Sequence, residues 1–112
     1  RFDTFEKEKD NRNMTKYVFE NLYESIREIS ECITLLDGIK IYSHEITIIY
    51  LREKGYIDDK KASRFDDIRR LRNKSKYYGK EISPEKLKDS LDNFNDLRVS
   101  LENKFQEKRR LE

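Results

Sequence analysis

Met14, Val18, Leu22, Ile26, Ile29, Ile33 and Leu36 recur every three or four positions, with polar and charged residues between them. That spacing is one apolar stripe on a helix. Phe2 and Phe5 extend the stripe upstream, and the polar triplet Asn11-Arg12-Asn13 is a candidate break. The pattern therefore predicts one long helix, or a short one followed by a longer one. Gly38 stands where a left-handed C-terminal cap belongs.

After the connector "IKIYS", Ser43 can cap a second helix, with Glu45 favourable in its first turn. Ile46, Ile49 and Tyr50 line one side of it, and His44, Ile48 and Leu51 another. A helix apolar on so much of its surface is expected at the centre of the fold. The run "IKIYSHEITIIYL" also has strand propensity, but it is flanked by helices and has no second strand to pair with. Gly55 ends this segment, and Asp58 or Asp59 can cap a third helix with Ala62, Phe65, Ile68, Leu71, Ser75 and Tyr78 facing inward. Gly79 ends that helix. Ser83-Pro84-Glu85 then reads as N-cap, first-turn proline and first-turn acid. Leu87, Leu91, Phe94, Leu97 (or Arg98), Leu101 and Phe105 form a fourth stripe. Short links between long amphipathic segments predict a single domain over residues 1–112. Its class is all-α: an antiparallel up-and-down bundle of four helices, five if the first one is divided.

Composition adjusts this picture. The 112 residues are 35% hydrophobic and 43% charged, so the core is economical and pairing with a second copy is an expected way to complete it. Net charge is only +2, but it is unevenly spread. Residues 60–80 carry nine basic and two acidic groups, a balance of +7, and each remaining stretch is slightly acidic. A local patch of that kind attracts phosphates even when the whole molecule is near neutral. Cys32 excludes an intramolecular disulfide and, flanked by Ile29, Ile33 and Leu36, is expected to be a buried thiol. No apolar run is long enough to span a membrane, and a cytoplasmic location is expected.

The basic segment ends in "RNKSKYYGK", residues 72–80. Arg72 borders the inward face of its helix, so it is either paired with a carboxylate or kept for an anionic ligand. Its planar fork matches phosphate, and an adjacent phenol can stack on a base. Arg69, Arg72, Asn73, Lys76, Tyr77 and Tyr78 are thus candidate ligand-binding residues. The plainer alternative is a solvated helix end whose cations complement the helix dipole, by about 0.3–1 kcal/mol each. His44 offers a general base if a carboxylate such as Glu45 orients it; packing or capping serves equally well for a histidine there. No metal-ligand cluster, cofactor-binding motif or phosphate-cradling glycine loop is present, so neither metal nor cofactor is expected.

The order of a long helix, "KIYSHEITIIYL", "DDIRRLRNKSKYYGKEIS" and a last amphipathic helix resembles the HEPN superfamily, in particular its small archaeal-type members. The resemblance covers about residues 14–105 and is most specific at "YSHE" (42–45) and "RNKSKYYGK" (72–80). It implies an RNA-associated helical bundle, commonly a homodimer. Many members are metal-independent endoribonucleases or toxins, and many are paired with a minimal nucleotidyltransferase. The nuclease motif of the family is an Arg, four to six residues, then a His. Here Arg72 and Asn73 match its start, but after four intervening residues stands Tyr77 and after six stands Gly79. Arg72, Tyr77 and His44 are the candidate catalytic groups. The missing histidine favours binding of RNA or a nucleotide over cleavage, because tyrosine titrates near 10 and serves poorly in proton transfer near neutrality. The alternatives are an endoribonuclease toxin with a divergent Arg-x4-Tyr motif and a non-catalytic protein-interaction module. The expected partners are a second copy of the chain, RNA or a nucleotide, and a nucleotidyltransferase-type protein; no membrane is among them.

Overall fold

A computed structural model describes the backbone of residues 2–111 and the side chains of residues 13–111. It contains four helices and, among the described residues, no strand: α1 (Phe2–Leu36), α2 (His44–Glu53), α3 (Asp59–Tyr78) and α4 (Pro84–Arg110). The all-α bundle expected from the stripes is what forms. The first stripe is a single helix, running unbroken through Asn11-Arg12-Asn13. The side chains of Phe2 and Phe5 lie outside the described residues.

The caps follow from local chemistry. The Ile46, Lys61 and Lys86 amides donate to Ser43 Oγ, Asp58 Oδ1 and Ser83 Oγ at 3.3, 2.7 and 3.0 Å. Each bond satisfies an amide that the first turn of a helix would leave without a partner. Gly38 adopts φ 79°, and the Ile39 amide reaches back to the Thr34 carbonyl at 3.0 Å, closing the end of α1 as a Schellman motif.

α2 and α3 form an antiparallel pair, as do α3 and α4. The link from α1 to α2 works differently. His44, at the start of α2, bonds Tyr23, whereas Tyr50, near its end, bonds Asp37. The connector between Leu36 and His44 therefore runs back along α1, and α2 then retraces the direction of α1. Lengths agree: the seven connecting residues span about 23 Å when extended, and the rise from Asp37 back to Tyr23 is about 21 Å of helix.

The core is one row of side chains: Phe19, Tyr23, Ile26 and Ile33 of α1, Ile48 and Leu51 of α2, Phe65 and Ile68 of α3, and Phe94, Leu97 and Leu101 of α4. Phe19 meets Phe94 edge to face at 5.2 Å, and Tyr23 meets Phe65 at 6.5 Å. Several expected positions are rotated. The buried line of α1 is Thr15, Phe19, Tyr23, Ile26, Ser30 and Ile33, while Met14 is 61% exposed. Cys32, expected inside, is exposed. Leu91 is partly exposed and Ser90 is buried beside it. Small polar residues can take these inward places because their hydroxyls bond the preceding turn: Ser30 Oγ to the Ile26 carbonyl at 2.7 Å and Ser90 Oγ to the Lys86 carbonyl at 2.8 Å. Two further expectations fail. α2 is not central; it packs on α3 and α1 and leaves Ile46 and Ile49 exposed. Tyr78 does not join the core and is 84% exposed.

Candidate functional site

Where α1 faces the C-terminal half of α3, acids at positions 20, 24 and 31 and Arg27 recur at helical spacing on one face of α1. Arg72 of α3 inserts among them. Its Nε donates to both Glu20 carboxylate oxygens at 3.1 Å, and its Nη2 donates to Glu20 at 2.9 Å and Glu24 at 3.3 Å. Nη1 reaches Asn73 Oδ1 at 3.4 Å. The guanidinium lies 5.1 Å from the Tyr23 ring centre. Arg72 is 5% exposed, and its fork is occupied by the part-exposed acids of α1.

The network continues along α1. Arg27 donates to Glu24 at 2.9 Å and also binds Glu31. The bond from Arg27 holds the Glu24 carboxyl below the usual range against the opposing effect of burial, and Arg72 adds to it. The Arg72 guanidinium is in turn pushed up by its bonds to Glu20, which outweigh its burial. Tyr23, pushed up to about 12 by burial, stays a neutral phenol and shares a 3.0 Å hydrogen bond with His44 Nδ1. His44 is held below 6.5, first by burial and then by the positive charges of Arg27 and Arg72. Its imidazole is therefore neutral at pH 7. Tyr23 is the residue that sequence reasoning missed. Its signal is present: it shares a helical face with Phe19 and Ile26, one position from Leu22 of the apolar stripe.

The sequence-selected residues divide into two groups. Arg72 and His44 meet around Tyr23, with Arg69 close by and bonded to Asp66 at 2.9 Å. Asn73 touches the Arg72 guanidinium from the next position. Lys76, Tyr77 and Tyr78 lie apart from them at the solvent end of α3. Tyr77 is 65% exposed, with the Lys76 ammonium 5.7 Å from its ring centre. The helix stops there because Gly79 turns left-handed at φ 66°. Because Glu20 pairs with Arg72 and α3 runs antiparallel to α1, Met14 and Tyr17, both exposed, lie level with this end. Two exposed tyrosines and a lysine thus stand at the end of α3, with Tyr17 of α1 at the same level, while the arginine stands behind them as a strut.

Among the described residues, no group of three or more His, Cys, Asp or Glu side chains could hold a metal ion, and no helix is long and apolar enough to cross a membrane. A family model described as ribonuclease HepT-like matches residues 1–103. No curated protein and no solved structure matches the chain.

Proposed function

We propose, for a chain that belongs to the ribonuclease HepT-like family of the HEPN superfamily, that it binds RNA or a nucleotide at the exposed end of α3. One observation carries this reading. At the family's motif position the arginine is locked to Glu20, while the aromatic and cationic residues that follow it, Lys76, Tyr77 and Tyr78, stand in solvent. Exposed phenol rings beside an ammonium accept unstacked bases and nearby phosphates. Arg72 and Asn73 then act by positioning the helix end, and Arg69 by bracing the same turn. The protein works as a homodimer in the cytoplasm, one half of a toxin–antitoxin pair with a minimal nucleotidyltransferase.

The test is binding of a labelled single-stranded RNA and of ATP to wild type and to a Tyr77→Ala, Tyr78→Ala variant. Stacking contributes about 1–3 kcal/mol per base, so the double variant is expected to bind at least tenfold more weakly. Equal affinity overturns the assignment.

A second reading, metal-independent endoribonuclease, draws on the neutral His44 held by Tyr23 beside Arg72. A neutral imidazole is the form a general base requires. Tyr77 has no place in that cluster, since it lies five residues, about 7.5 Å of helix rise, past Arg72. RNA left intact in EDTA favours the binding reading. Cleavage in EDTA that His44→Ala abolishes favours the nuclease.

A further inference from the structure

The basic stretch of α3 has two faces, and only one turns toward α1. Arg69 and Arg72 are neutralised there by Asp66, Glu20 and Glu24. Arg70 and Lys74, four residues apart, occupy the other face. With Arg64 they line a groove of about 450 Å³ between α3 and α4, completed by Lys80 beyond the Gly79 turn and Lys86 on α4. Ile68 and Leu71 are its apolar lining, and Asp67 is its one lining acid. At the rim Asp66 pairs with Arg70 at 2.9 Å and Asp96 lies 3.5 Å from Arg64. The lining itself holds five cations and one acid, and the two rim pairs are both made by arginines.

That end is built into the turn. The Lys80 amide bonds the Lys74 carbonyl at 3.1 Å, so the two ammonium groups spring from adjoining points of one cap. Lys86 faces them from the first turn of α4. The groove runs from Lys74 to Arg64, ten residues or about 15 Å of helix, and its lysine end adjoins Tyr77 and Tyr78.

We propose that the α3–α4 groove is a track for the phosphate backbone of single-stranded RNA, extending the contact beyond the bases stacked on Tyr77 and Tyr78. This rests on the RNA-binding reading above. Ser90 and Asn93 of the lining can meet ribose hydroxyls, and cations stand along the groove from Arg64 through Arg70 and Lys74 on α3, with Lys86 facing them from α4. Arg72 takes no part in it.

The experiment compares wild type, a Lys74→Gln, Lys80→Gln, Lys86→Gln variant and the Tyr77→Ala, Tyr78→Ala variant, using anisotropy of a labelled oligouridine between about 50 and 300 mM KCl. All three lysines are exposed, and circular dichroism verifies that the helices persist. Three lost phosphate contacts, at about 0.7 each for single strands, flatten the slope of log affinity against log salt by about 2. Affinity at low salt is expected to fall at least tenfold. Unchanged slope and affinity in the lysine variant, with binding lost in the tyrosine variant, overturn the track and leave the RNA reading standing. Loss in the lysine variant alone upholds the track and removes the tyrosine end from the site. ATP binding that depends on the three lysines as strongly as oligouridine does would make the groove a pocket for a single phosphate group and overturn the track. A wild type that binds no RNA overturns both proposals.

Discussion

Arg72 is the residue on which α1 and α3 are joined. Deleting one partner of a fully buried ion pair costs about 3–5 kcal/mol, because the other charge is left without compensation. Here the acids keep access to water, with Glu20 35% and Glu24 29% exposed in their side chains. Arg72→Ala is therefore expected to lose about 2 kcal/mol in urea unfolding, below that buried-pair range. Removing Glu20 as well should recover part of the loss, since residues in one network do not add independently. The same variant has a second readout. Arg72 is one of the charges that disfavour the His44 imidazolium, so the His44 titration followed by NMR should move upward in Arg72→Ala. Unaltered stability together with an unmoved His44 would remove the strut role. The identity of Arg72 was legible in the sequence, as was its choice between a carboxylate and a ligand. Its partners were not, because Glu20 and Glu24 lie about fifty positions away and look like ordinary surface acids on α1.

At the scale of elements, the far end of the molecule is held by Asp37. Its Oδ2 accepts hydrogen bonds from Tyr50 at 2.7 Å and Tyr56 at 2.8 Å, and its Oδ1 binds Lys108. One carboxylate thus ties the end of α1 to α2, to the α2–α3 turn and to the last turn of α4. Burial pushes the Asp37 carboxyl up, but the bonds from Lys108, Tyr50 and Tyr56 together hold it below its ordinary value. A folded-state value under the unfolded one means that the clamp stabilises fully above about pH 4, the unfolded carboxyl value. Its contribution fades as pH falls through the depressed folded value. Asp37→Asn should therefore be less stable than wild type at pH 6, and the gap should narrow as pH falls below about 4 in denaturant titrations; a gap independent of pH would contradict the clamp. The four helices and their caps were legible because Ser43, Asp58, Ser83-Pro84 and Gly79 act over three or four residues. The direction of α2 was not. "IKIYS" is short enough for a tight turn, yet it extends back along α1, while the residues after Ser43 form the helix.

For the molecule as a whole, that reversal decides what remains uncovered. The bundle is long and narrow, 59 × 24 × 22 Å. α2 packs against α3 and α1 but not α4 among the described residues, so its outer side faces water. Tyr42, Ile46 and Ile49 are 85%, 56% and 41% exposed there. Ile46 and Ile49 share a helical face, and Tyr42 continues toward Leu35 across a cavity that both line. Monomers seldom leave a contiguous apolar patch of this kind in water, and a two-fold axis would bury the patch against its own copy. The homodimer proposed above is expected to bury this surface. Sedimentation velocity should give a concentration-dependent dimer for wild type and a monomer for Ile46→Glu, Ile49→Glu. Because both side chains are already in solvent, the variant should retain its helices and its unfolding midpoint. The α3–α4 groove lies on walls that α2 does not share, so the monomeric variant should bind a short oligouridine with wild-type affinity per chain. A wild type that stays monomeric at all concentrations would return the α2 face to a different protein partner. A monomeric variant that loses RNA would mean that the binding surface is built from two copies rather than one.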